Sequence, residues 1–122
     1  IRLALAATLS SNYGIYGPAY ELLDNTPWNG KEEFNDSEKY EVKHYDWKKT
    51  NRITDIMTIL NKTRKSNLAL QSTWNIEFLN IENPNLLAFY KKSDDNSNRV
   101  LVVINLDQHN KQAGYLQLSN DL

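Results

Sequence analysis

The hydrophobic pattern changes period partway along the chain, and this change restricts the fold more than any other feature. Between residues 51 and 65, Ile53, Ile56, Met57 and Leu60 recur at three- and four-residue intervals, which places them on one face of a helix. From Trp74 onward the apolar residues alternate or gather in short β-branched runs: Trp74, Ile76 and Phe78, then 86–90, then 100–106, then Tyr115, Leu116 and Leu118. Asn83-Pro84-Asn85 and the polar stretch 93–98 punctuate those runs as turns. Helices that precede a separate block of strands define an α+β chain. Strands joined by short turns pair antiparallel, so the spacing predicts a three- or four-stranded antiparallel sheet.

Two helices are expected ahead of that sheet. Residues 1–11, IRLALAATLSS, are rich in helix formers and apolar nearly all round, which suits a helix packed against a sheet. Arg2 interrupts the run, which is far shorter than the roughly 20 residues of a membrane span and lacks the layout of a cleavable signal. The chain opens at Ile1 inside this apolar segment, so a piece of a longer polypeptide is expected. The second helix, 51–65, has Asn51 or Thr50 as its cap. Lys62, Arg64 and Lys65 lie in its last turns, where cations oppose the negative end of its dipole. Between the helices, Asn25, Pro27, Asn29, Gly30, Asn35 and Asp36 give 17–40 the composition of an ordered surface loop. A loop of that length is functional or mobile.

The densest chemistry lies in residues 8–40. Tyr13, Tyr16 and Tyr20 stand among Gly14, Gly17 and Pro18, residues that permit close backbone approach or fix a bend. Phenols with an apolar face and a hydroxyl suit a sugar-lined groove. They equally suit aromatic packing under a turn, and spacing leaves both readings open. In Ser37-Glu38-Lys39-Tyr40, a lysine followed by a tyrosine supplies the point cation and hydroxyl donor that a phosphate monoester needs. The alternative is a solvated Lys39 paired with Glu38 or Glu41. Trp28, Trp47 and Trp74 offer flat rings to sugars, which admits a free-standing glucan-binding module.

Other polar groups carry less. His44 and His109 are far apart and neither has ligand spacing around it, so no metal site and no catalytic role is assigned to them. Glu32-Glu33, Asp94-Asp95 and Asp24 read as solvated carboxylates, because acid/base work needs carboxyl groups with separated pKa values in a cleft. With net charge −1 and 24% charged residues, nothing asks for nucleic acid or an anionic membrane. The chain has no cysteine, which excludes disulfides and thiolate metal sites and fits a reducing cytoplasm. No cofactor is implied.

The run LAATLSSNYGIYGPAYELLDNTP, then DSEKYEVKHYDW, the helix ending LNKTRKSNLALQ, and the later LLAFYKK and VLVVINLDQHN resemble the carboxyl-terminal part of the bacterial maltosyltransferases of the α-amylase superfamily. Members use maltose 1-phosphate to extend α-1,4-glucans and fold as a (β/α)8 barrel followed by an antiparallel β domain. A barrel of this kind takes about 250 residues, more than the 122 present. The resemblance therefore implies that residues 1–70 are the last barrel elements: the end of the seventh helix, a short eighth strand at 13–16, a long βα loop, and the eighth helix at 51–65. Residues 71–122 become the start of an incomplete β domain.

The same resemblance implies site roles. Lys39 and Tyr40 hold the donor phosphate, and Tyr13, Tyr16 and Tyr20 are weaker candidates for lining sugar subsites. The family's nucleophilic aspartate, its acid/base glutamate and its stabilising aspartate lie upstream of Ile1, so no catalytic residue is expected here and the chain alone should be inactive. In the parent reaction the aspartate attacks the anomeric carbon, phosphate leaves, and the maltosyl group passes to an acceptor 4-hydroxyl with net retention. Expected partners are maltose 1-phosphate and α-1,4-glucan in a cytoplasmic parent that forms a homodimer. The isolated piece is expected to self-associate through Leu3, Leu5 and Leu9. Trp28-Asn29-Gly30-Lys31 departs from the acidic or arginine-rich residues that relatives often carry there, which leaves acceptor preference open. Two other readings stay open: the carboxyl-terminal part of an amylase-type hydrolase, and the glucan-binding module.

Overall fold

The computed structural model describes residues 1–35, 37, 39 and 41–118. The chain divides into two compact units, residues 1–13 together with those from 60 onward, and residues 14–59. Helices and one antiparallel sheet make it an α+β structure.

In the first unit, β1 (Ile76–Leu79), β2 (Leu86–Lys92) and β3 (Arg99–Asn105) form a sheet in the order β1-β2-β3. Phe78 stands opposite Phe89, and Phe89 opposite Val102, so Ile76, Phe78, Leu87, Phe89, Lys91, Val100, Val102 and Ile104 share one face. The core lies here: Phe89 is fully buried and Ile104 nearly so. A 3-10 turn (Leu68–Gln71) packs against β2 and β3, and α1 (Arg2–Leu9) packs against β3. Leu70, Ala69 and Ala7 join the core. The contact side of α1 is built from small residues, Ala7 and Thr8, while Leu3, Leu5 and Leu9 are half-buried.

Two cations from elsewhere in the chain close the carboxyl end of α1. A helix leaves its last four carbonyls without internal partners. Lys91 Nζ, on the central strand, donates to Thr8 O at 3.3 Å, Leu9 O at 3.2 Å and Ser72 O at 2.5 Å. Arg64 Nη1 donates to the carbonyls of Ala7, Ser10 and Leu70, and its Nη2 to Ser11 O. The expected role of the basic cluster is therefore displaced at Arg64, which answers the dipole of α1 and not that of its own helix. Burial, and secondarily the nearby Arg64 charge, push the Lys91 ammonium below the ordinary lysine range.

Two expected strands are not formed as such, the one at 115–118 expected from the spacing and the one at 13–16 expected from the resemblance. The run at 115–118 reduces to a single antiparallel bridge, Ile81 with Leu116, flanked by Glu82 N–H donating to Tyr115 O at 3.2 Å and Gln117 N–H to Asn80 O at 3.3 Å. Gly114 permits this approach, since a Cβ there would lie 3.1 Å from Asn83 Cβ and 3.3 Å from Leu86 Cδ1. Residues 12–16 form no strand. A parallel barrel strand exists only through the hydrogen bonds of flanking strands, and among the described residues the strands are the three of the antiparallel sheet.

The second unit begins with a helix that the sequence pattern does not announce, α2 (Gly17–Glu21). Pro18 occupies its first turn, where a missing N–H is harmless. Leu22 N–H and Asp24 N–H both return to Pro18 O, with Leu23 in the left-handed region at φ 58° as the terminating residue. A hairpin follows. Trp28 N–H donates to Glu33 O at 2.8 Å, Asn35 N–H to Thr26 O at 2.7 Å, and Lys31 N–H closes the turn on Trp28 O at 3.0 Å. Gly30, at φ 75°, takes the position where a type II turn requires the left-handed region.

Helix α3 (Arg52–Ser66) starts in this unit and runs into residues of the first. Asn51 caps it as expected. Its Oδ1 accepts from Ile53 N–H at 2.8 Å and Thr54 N–H at 3.3 Å, while Thr54 Oγ1 accepts from Asn51 N–H at 2.8 Å, a reciprocal cap. Asn51 Nδ2 also donates to Glu21 O at 2.6 Å, which fixes the end of α2 to the start of α3.

Candidate functional site

The second unit contains a pocket of about 270 Å³ whose walls come from three separate stretches. Tyr16 and Pro18 contribute from the start of α2, Phe34 and Ser37 from the hairpin and the residues after it, and Tyr45 from the chain leading toward α3. The Tyr16 and Phe34 rings stand 6.3 Å apart, tilted by 44°. Tyr45 packs edge-on to Trp47 at 5.6 Å. Tyr16 is 69% exposed, so its ring offers a face to a ligand. Aromatic walls with a few hydroxyls match a pyranose, which has apolar C–H faces and an equatorial rim of hydroxyls. The pocket is of a size for one such ring.

Lys39 lies on the loop beside Ser37, with its side chain 65% exposed, and its Nζ is 2.9 Å from Glu33 Oε1. Glu33 closes the hairpin that carries Phe34, so the ion pair ties Lys39 to the segment that supplies one pocket wall. Tyr40, the second residue expected at the phosphate, lies outside the described residues. Farther along, Lys43 pairs with Asp24 at 3.1 Å, and this hydrogen bond holds its ammonium above the ordinary lysine range.

The three sequence-selected tyrosines separate. Tyr16 lines the pocket. Tyr20, 40% exposed, is not among the lining residues. Tyr13 belongs to the first unit, where its hydroxyl donates to Asn61 Oδ1 at 2.5 Å and its ring lies 5.3 Å from the Arg64 guanidinium. Among the tryptophans, Trp28 has Lys31 over its ring at 4.1 Å, and Trp74 is 92% exposed. The sequence reading missed Phe34 and Tyr45, because their approach to Tyr16 depends on the turn at Gly30 and on contacts that no short motif encodes. His109 and Asp107 sit in the turn after β3, where Asp107 accepts from the His109 and Asn110 N–H groups. That is a structural role.

Residues 78–121, which include most of the sheet, match the family model described as GLGE, C-terminal. Over nearly its full length the chain is also similar to proteins named α-1,4-glucan:maltose-1-phosphate maltosyltransferase. The one from Chlorobaculum tepidum is 47% identical over 123 residues, covering 96% of this chain and 18% of its own length. That of Methylacidiphilum infernorum is 47% identical over 117 residues, with 95% and 17% covered. That of Salinibacter ruber is 41% identical over 117 residues, with 96% and 17% covered. The chain is thus a relative of these maltosyltransferases and corresponds to their carboxyl-terminal part, spanning less than a fifth of their length.

Proposed function

We propose that the chain is the carboxyl-terminal part of a retaining glycosyltransferase that moves maltosyl units from maltose 1-phosphate to the non-reducing end of α-1,4-glucans. The observation that carries this reading is identity of 41% to 47% to named maltosyltransferases across at least 95% of the chain. In this reading residues 1–70 are the last barrel elements with the donor-phosphate loop, and 71–122 begin the β domain. In this reading the parent is a cytoplasmic homodimer.

Lys39 and Tyr40 then hold the leaving phosphate. An exposed ion pair such as Lys39 with Glu33 contributes about 0–1 kcal/mol, so exchanging the Glu33 carboxylate for a dianionic phosphate costs little. Phosphate departs carrying its own charge, so the loop's task is positioning and charge stabilisation, while nucleophilic attack belongs to a carboxylate outside these residues. Tyr16, with Phe34 and Tyr45, takes a sugar ring.

The test is phosphate release from maltose 1-phosphate, with glycogen as acceptor, by the longer parent and by its Lys39→Ala variant. Release by the parent and a loss of at least tenfold in kcat/KM for the variant is the expected result. A parent that hydrolyses starch and leaves maltose 1-phosphate intact sinks the assignment in favour of an amylase-type hydrolase. A fully active Lys39→Ala parent removes Lys39 from the phosphate site.

A further inference from the structure

The segment carrying Lys39 and the aromatic pocket leaves the first unit after Tyr13 and rejoins it at Leu60. Both crossings are joined to each other within the first unit. Tyr13 OH donates to Asn61 Oδ1 at 2.5 Å, one residue beyond the return point. The Tyr13 ring lies 5.3 Å from the Arg64 guanidinium, one turn further along α3. Arg64 in turn holds the carbonyls of Ser10 and Ser11, separated from Tyr13 only by Asn12, as well as those of Ala7 and Leu70. Ser11 is held from a third direction, since its N–H donates to Thr73 Oγ1 and its Oγ accepts from the same hydroxyl, both at 3.0 Å.

We propose that Arg64, Tyr13 and Asn61 form a root clamp, and that they are positioning residues for the segment 14–59. Four features support this. A planar guanidinium with five donors in a fixed fork reaches four carbonyls from its two terminal nitrogens, one more than the three N–H groups of a lysine ammonium supply. The same group attracts the Tyr13 ring face. Three of the four carbonyls it satisfies, those of Ala7, Ser10 and Ser11, belong to the end of α1 and the turn leading to Tyr13, so breaking the contacts leaves polar groups without partners at the point where the segment departs. Finally, joining the two roots closes the ends of the segment against each other, which restricts the conformations open to it. Tyr13 is thereby assigned to the root of the segment and not to a sugar subsite.

Hydrogen exchange on the longer parent tests the clamp, comparing Arg64→Lys, Tyr13→Phe and Asn61→Ala with the parent. Expected is faster exchange at residues 14–59, about tenfold for Arg64→Lys and about threefold for Tyr13→Phe and for Asn61→Ala, with the amides of β2 and β3 unchanged. The Tyr13→Phe, Asn61→Ala double variant should exchange no faster than either single one. Unchanged exchange at 14–59, or equal acceleration in β2 and β3, overturns the proposal, the latter by showing only a loss of global stability. A kinetic arm rests on the maltosyltransferase reading: Arg64→Lys should raise KM for maltose 1-phosphate more than it lowers kcat. A parent without phosphate release defeats that reading alone, because exchange still decides the clamp.

Discussion

Lys91 accommodates a buried charge with backbone carbonyls and, among the described residues, no carboxylate. Its ammonium is fully buried, and three backbone carbonyls accept its three N–H groups. Two of these carbonyls are the negative end of α1, where a cation is favoured and where they would otherwise lack donors. The signal for this was present in the sequence: β2 alternation puts Lys91 on the face of Leu87 and Phe89, an apolar face with no reason to hold a solvated lysine. What the pattern lacked was the partner, since Thr8 and Leu9 lie more than eighty residues away in the chain. Two aspartates behave more locally. Asp95 is held at about 2 by the Ser93 hydroxyl and then by the N–H and hydroxyl of Ser97. Asp107 is held at about 2 by the His109 N–H and then by the Asn110 and Gln112 side chains. Both folded values lie below the ordinary 3.8, so the unfolded chain binds more protons in between. Their stabilisation is complete above about pH 4–5 and is lost as pH falls toward 2. Urea midpoints measured from pH 6 down to 2 should therefore decline across that window. Asp107→Asn should flatten the decline and lower the midpoint at pH 7, because an amide N–H₂ then opposes donors from Asn110 and Gln112. A midpoint in the variant equal to the parent's at every pH removes the turn from the account.

The elements differ in how far their causes are local. For α3, the apolar face and the cap at Asn51 come from adjacent residues, and the helix runs where the spacing puts it. The three strands β1, β2 and β3 likewise follow alternation and turn chemistry. By contrast, α2 consists of five residues, too few for periodicity to register, and is set by Pro18 and a left-handed Leu23. The strand that the resemblance implies at 13–16 depends on neighbours that these residues do not include. Asn51 joins two elements, capping α3 through Oδ1 and holding the last carbonyl of α2 through Nδ2. Asn51→Ala should cost about 1–2 kcal/mol in unfolding free energy. Asn51→Asp, which keeps the cap acceptor and loses the amide donor, should fall between the two. Denaturant unfolding checks the order; an Asp variant as damaged as the Ala one places the stabilisation in the bond to α2 and not in the cap.

For the whole molecule, the carboxylates decide what the chain can do alone. Retaining glycosyl transfer needs a carboxylate nucleophile facing the anomeric carbon and a second carboxyl group about 5–5.5 Å away. Among the described residues, several carboxylates are engaged in local structure: Glu33 with Lys39, Asp24 with Lys43, Asp46 with the Lys48 N–H, and Asp95 and Asp107 inside their turns. In the proposed reading the aromatic pocket takes a sugar ring and Lys39 a phosphate, but binding donor and transition state equally well produces no acceleration. Purified as the 122-residue chain, the protein should therefore release no phosphate from maltose 1-phosphate above the rate without protein, with or without glycogen. In the proposed reading the longer parent, under the same conditions, should do so with retention at the anomeric carbon, read by proton NMR of the transferred residue. Release by the short chain that is lost on mutating a carboxylate within it would place the nucleophile among these residues and end this division of labour.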